Sequence, residues 1–192
     1  APNTVSVNLS RAELALDGQL RSQIRAVLAR TGLPAHCLQL ELTEREVMRN
    51  PEGALSLMQD LRALGVRIAM DDFGTGTSSL AVLKNYPFDV IKIDRSFTHD
   101  LRMTAEFRSV MHATVTLVEN LGMASCAEGV EDPVQLAVLQ SLQCRYAQGY
   151  LFSRGVSADR LLDALAGSAV FTRTERTSEP EPVSRVELPR QA

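Results

Sequence analysis

Val66-Arg67-Ile68-Ala69-Met70-Asp71-Asp72-Phe73-Gly74-Thr75-Gly76-Thr77-Ser78-Ser79-Leu80 runs an apolar segment straight into two adjacent carboxylates and then into a loop of Gly, Thr and Ser. The Val66 to Met70 run suits a strand buried in a sheet, so the acidic pair is presented at a fixed point on the sheet's rim. Gly74 and Gly76 allow a tight loop beside those acids. Taken alone, Asp-Asp before a glycine-rich turn is more often a solvated turn than a metal site. It gains weight because the arrangement recurs.

Outward from that stretch, further strand-like segments occur at Val5 to Ser10, Leu38 to Glu44, Phe88 to Asp94, Met123 to Val130 and Arg145 to Phe152. With Val66 to Asp72 that makes six strands. Helical stripes lie between them: Leu20, Ile24, Val27 and Leu28; Ala54, Leu57, Met58, Leu61 and Leu64; Phe107, Val110, Met111, Thr114, Val118 and Leu121; Val134, Val138 and Leu142. All four stripes are expected to be core. Asn50-Pro51 and Asp132-Pro133 have the form of helix starts, and Gly32, Gly65 and Gly122 suit the left-handed position after a helix. This alternation predicts an α/β fold of parallel strands with helical crossovers, either a barrel or a doubly wound sheet. The barrel region is expected over residues 1–170. From 171 to 192 the chain turns to Thr, Ser, Glu, Pro and Arg and reads as a flexible tail or linker.

Composition narrows the function. A chain of 192 residues, 45% apolar, can bury one sizeable core, and a formal charge of −3 without a basic stripe gives no footprint for polymeric nucleic acid. No apolar run approaches the roughly 20 residues that cross a bilayer, and the first ten residues lack the pattern of a signal peptide. The chain reads as cytoplasmic, with any membrane anchor on a longer parent lying outside it. Cys37, Cys126 and Cys144 have no metal-ligand spacing and read as reduced, buried thiols.

Polar side chains fall late in, or just after, each strand: Asn8, Glu41 with Glu44, Asp71 with Asp72, Lys92 with Asp94, Glu128 with Glu131, and Gln148. In a parallel barrel these positions converge on the face that carries active sites. Carboxylates brought so close repel one another unless cations neutralise them, and an all-oxygen donor set suits Mg²⁺ or Mn²⁺. His36, His99 and His112 do not join the cluster. Two such ions can clamp the attacking and leaving oxygens of a phosphoryl displacement, so phosphodiester hydrolysis is the expected chemistry.

Val7-Asn8-Leu9-Ser10, Glu41-Leu42-Thr43-Glu44, Asp71-Asp72-Phe73-Gly74-Thr75-Gly76, Lys92-Ile93-Asp94-Arg95-Ser96-Phe97, Ala127-Glu128-Gly129-Val130-Glu131 and Gln148-Gly149-Tyr150, in this order, resemble the EAL domain. The resemblance implies a bacterial phosphodiesterase on a modified eight-stranded barrel that opens cyclic di-GMP to linear pGpG with Mg²⁺ or Mn²⁺. By resemblance, Asn8, Glu41 and Asp71 are ligands of a first metal, and Asp72 and Glu128 face a second. Lys92 corresponds to the lysine that orients the attacking water. Glu128 is the candidate general base, an assignment left open because a metal-bound carboxylate is a poor proton acceptor. Gln148 lines the site, Glu44 holds the loop after Asp72, and Glu131 supports the rim. Alternatively, Lys92 and Asp94 form a structural ion pair and Gln148 is a satisfied amide at the barrel mouth.

The sequence departs from the family in two places. The Glu-Ala-Leu tripeptide, with its metal-binding Glu and the phosphate-contacting Arg that follows, does not occur. A barrel of this type needs about 250 residues, so an incomplete (β/α)8 TIM-like barrel of about six parallel strand-helix units is expected. Its strands at Val5 and Gln148 should have unpaired edges, leaving the chain marginal or paired through them as a homodimer, or joined to further domains of a signalling protein. Thr77 stands where the family loop usually carries Tyr. The competing expectation is a non-catalytic receptor for cyclic di-GMP, or a protein-interaction module. Another metal-dependent barrel enzyme, such as an aldolase, is disfavoured by the ordered motifs.

Overall fold

A computed structural model describes residues 4–14, 19–75, 80–99 and 104–161. Residues up to Gly155 belong to one compact unit; Val156 onward belong to a second, of which a 3-10 turn at Ala158–Arg160 is described. Thr77, the boundary at residue 170 and the 171–192 tail lie outside the described residues.

The first unit contains β1 (Val5–Asn8), α1 (Arg11–Leu14), α2 (Gln19–Thr31), β2 (Leu38–Thr43), α3 (Glu44–Arg49), α4 (Pro51–Ala63) and β3 (Arg67–Phe73). It continues with α5 (Leu80–Asn85), β4 (Val90–Ile93), α6 (Arg95–His99), α7 (Ala105–Asn120), β5 (Ala124–Ala127), α8 (Pro133–Ser141) and β6 (Tyr146–Ala147). All strand pairs are parallel, and their order across the sheet is the order along the chain. A doubly wound sheet reverses at a switch point, whereas a barrel adds each strand beside the last, so this order selects the barrel. The architecture is an incomplete barrel, with six parallel strands among the described residues. Among the described residues, β1 pairs only with β2 and β6 only with β5.

Strand alternation separates two faces. Leu40, Leu42, Ile68, Met70 and Ile91 pack with Leu20, Ile24, Met58 and Leu61 of the helices in one cluster. Ile93 and Ala127 pack with Met111, Val115 and Leu139 in another. Each such large side chain taken from water is worth roughly 1.5–3 kcal/mol. The intervening strand residues Ala69, Val90, Ala124 and Cys126 form a small third cluster on the opposite face. Glu41, Asp71 and Lys92 share their strand parity with this set.

The helix starts and stops follow the sequence signals. Asn50 Oδ1 accepts from Gly53 N at 3.1 Å, and Asp132 with Gln135 closes a capping box on α8. Gly32, Gly65 and Gly122 take positive φ. The apolar stripes need correction. Val27, Phe107, Val110, Leu121 and Val134 are exposed; α7 buries Met111 and Val118 as expected, and Val115 in addition. On so apolar a helix two stripes compete, and contact with β5 selects the one containing Val115. The strand at Arg145 to Phe152 shrinks to Tyr146–Ala147, because Gly149 bends the chain over Val130. Cys37 and Cys126 are buried free thiols, whereas Cys144 is only partly buried.

Candidate active site

The site grows from the ends of the strands. Glu41 lies in β2 opposite Asn8 of β1 in register, which puts the two side chains on one face. Asp71 lies two residues beyond Ala69, the register partner of Glu41, and so faces the same side, opposite Thr43. Lys92 lies in β4, and Glu128 follows the last residue of β5.

At Asp71-Asp72 the pairing slips. Met70 faces Ile91 but Phe73 faces Ile93, so β3 carries one extra residue there. Asp72 takes the left-handed conformation, φ 56°. Simple alternation would send consecutive aspartates to opposite faces; a bulge re-aims one of them. Carboxylate oxygens of Asp71, Asp72 and Glu128 consequently lie within 4.8 Å of one another.

Lys92 Nζ stands among the acids. It donates to Glu41 Oε2 at 2.6 Å, to Glu128 Oε1 at 2.7 Å and to Asp71 Oδ1 at 2.9 Å. Lys92 and Glu41 are each 5% exposed. Burial works against the lysine's charge, but the bonds to Glu128, Glu41 and Asp71 prevail and hold it protonated above the ordinary lysine range. Gln148 Nε2 donates to Glu128 Oε1 at 2.6 Å. That oxygen therefore serves Lys92 and Gln148 together, leaving Oε2 for a ligand or a proton. Burial raises the Glu128 carboxyl above its usual range, and the charges of Asp71 and Glu41 add to the rise while Lys92 opposes it. Burial, then the neighbouring charges of Asp71 and Asp94, likewise raise Asp72.

Asp94 does not pair with Lys92. Its Oδ1 accepts from Ser96 N at 2.9 Å at the start of α6; burial pushes the carboxyl up, yet the Ser96 bonds hold it below its usual range. The lysine–Asp94 ion pair is thus replaced by a lysine that serves three acids, two on β2 and β3 and one just after β5. Glu44 opens α3 beside the Thr43–Glu46 capping box, while residues 76–79 of the loop it was expected to hold lie outside the described residues. Glu131 is exposed and donates its backbone N–H to Gln135 Oε1 at 2.7 Å. Gln39 was missed. It is buried in β2, two residues before Glu41, and donates to Ser6 Oγ at 3.0 Å and to Glu41 Oε1 at 3.5 Å. A polar residue with Glu41's strand parity was the available signal.

Asp71, Asp72 and Glu128 offer only hard oxygen donors, and four neighbouring carboxylates outnumber the one ammonium. Both facts fit a hard divalent cation. No described helix is long and apolar enough to cross a membrane.

The EAL domain family model matches residues 1–155. The chain is 42% identical over 154 residues to the cyclic di-GMP phosphodiesterase NbdA of Pseudomonas aeruginosa, covering 80% of this chain and 19% of that protein. It is 38% identical over 162 residues to MucR of the same species, a bifunctional diguanylate cyclase/cyclic di-GMP phosphodiesterase, covering 84% and 24%. The chain thus spans about a fifth to a quarter of these relatives. Among solved structures, the MucR phosphodiesterase in complex with c-di-GMP superposes with a TM-score of 0.75 at 39% identity, covering 82% of this chain and 64% of that one. The EAL domain of Mycobacterium smegmatis DcpA gives 0.79 at 33% identity, covering 86% and 74%. Family model, relatives and fold agree with the six ordered motifs, and the chain belongs to the EAL domain family.

Proposed function

We propose that this chain is the catalytic part of a phosphodiesterase that hydrolyses cyclic di-GMP to linear pGpG. The observation that carries the reading is the position of Lys92, held protonated among Glu41, Asp71 and Glu128 at one strand end, with Asp72 turned beside them by the bulge. A module that only binds a nucleotide has no need for so many converging acids. Asn8, Glu41, Asp71, Asp72 and Glu128 are assigned to hold two Mg²⁺ or Mn²⁺ ions. When bound, the ions neutralise the acids, acidify water and stabilise charge on the phosphoryl oxygens.

The chain's own groups do the rest. Lys92 orients the attacking water with its N–H bonds, and its protonated state excludes it as the base. Glu128 Oε2, the oxygen that Lys92 and Gln148 leave open, is the candidate acceptor for the proton that the water loses, a role it fills only while it does not ligate an ion. Gln148 fixes the Glu128 carboxylate in that orientation. Water adds to phosphorus, the P–O3′ bond breaks, and the released 3′ oxygen takes a proton to give the linear dinucleotide. Asp94, Glu44 and Glu131 shape the rim.

The test is chromatography of cyclic di-GMP incubated with Mn²⁺ and the chain, alone and extended by a family-type segment carrying Glu-Ala-Leu. The extended protein is expected to release pGpG, and Asp71→Ala in it should lower the rate at least 100-fold. Nucleotide binding without any turnover by either form would establish the receptor reading instead.

A further inference from the structure

We infer that Gln39 is a positioning residue, whose amide fixes the Glu41 carboxylate, and through it Lys92, while tying both to the edge strand β1. Gln39 is 8% exposed and shares its strand parity with the small apolar cluster of Ala69, Val90, Ala124 and Cys126. An apolar side chain would serve packing there, and a buried amide is costly unless its hydrogen bonds are made. Its Nε2 donates to Ser6 Oγ, the in-register partner on β1, at 3.0 Å. The same nitrogen lies 3.5 Å from Glu41 Oε1, the oxygen that Lys92 does not take. Gln39, itself tied to Ser6, thus meets one oxygen of the Glu41 carboxylate and Lys92 the other.

The chain of contacts extends further. Ser6 of β1, Gln39 and Glu41 of β2, Asp71 of β3, Lys92 of β4, Glu128 after β5 and Gln148 after β6 form one continuous hydrogen-bonded path. Every strand of the sheet, or the residue directly after it, contributes. Residues that orient metal-binding carboxylates typically change metal affinity 10–100-fold when removed. Gln39 occupies that place for Glu41, an inference that rests on the metal assignment proposed above.

The experiment measures Mn²⁺ affinity of the full chain by electron paramagnetic resonance, with thermal melts to establish folding. Gln39→Met keeps the volume and removes the donor. It is expected to weaken Mn²⁺ binding at least tenfold, and in the extended protein to lower kcat while KM stays within twofold. Ser6→Ala should shift Mn²⁺ affinity in the same direction by a smaller factor. Unchanged affinity in folded Gln39→Met, or in Ser6→Ala should the former not fold, overturns the inference, as does a wild-type chain that binds no Mn²⁺. Gln39-dependent Mn²⁺ binding without hydrolysis of cyclic di-GMP would sink the phosphodiesterase reading and leave the role of Gln39 standing.

Discussion

Asp72 concentrates the chemistry of the site at the scale of one residue. Its left-handed backbone costs an L-residue about 1–2 kcal/mol relative to right-handed conformations. Glycine escapes that penalty, so Asp72→Gly is expected to be more stable to urea than Asp72→Ala by about 1 kcal/mol. Equal stability would mean that the bulge relaxes away. The carboxyl itself adds a pH dependence. The folded protein binds the Asp72 proton more tightly than the unfolded chain does, so its contribution to stability falls as pH rises from the ordinary Asp range through the raised folded value. In chelator, the wild type should therefore lose more melting temperature between pH 4 and pH 7 than Asp72→Asn, a substitution that tolerates the same backbone. The sequence showed that two acids stand at a strand end. It did not show that both face one way, since a one-residue slip in pairing has no signature in composition.

The site also depends on whole elements being held at fixed offsets. Gly149 lies so close to the Val130 backbone that an added Cβ would collide with the Val130 nitrogen and oxygen. Gly149→Ala is expected to push β6 off β5, to destabilise by about 1–3 kcal/mol, and to separate Gln148 from Glu128. Activity should fall further than stability explains, as checked by rate measurements well below the melting temperature. The cap on α8 provides a contrast far from the acids: Asp132→Ala should cost about 1 kcal/mol in a denaturant titration and leave Mn²⁺ affinity unchanged. These boundaries were legible, because Asn50-Pro51, Asp132-Pro133 and the glycines after helices each have a local cause. The outward turn of Phe107 and Val110 was not, since that depends on which side of α7 meets β5. Glu41, Asp71, Lys92 and Glu128 could be grouped from their shared position at strand ends; their particular bonds to the lysine ammonium required the sheet's register.

For the molecule as a whole, sequential parallel strands leave β1 with one partner among the described residues and with Val5 and Val7 51% and 44% exposed. An apolar strand edge is a template for pairing with another chain. Sedimentation of the full chain should show self-association that increases with concentration and decreases in Val7→Lys without loss of melting temperature. A monomer at all concentrations would remove β1 as an interface. The same openness gives the Lys92 cluster a further consequence. An ammonium has three hydrogens, and Glu41, Asp71 and Glu128 engage all of them in this resting arrangement. In the role proposed for it, Lys92 could therefore meet an incoming water only by releasing one of its acids, and a cation held by one of those carboxylates would free the hydrogen that this exchange of partners needs.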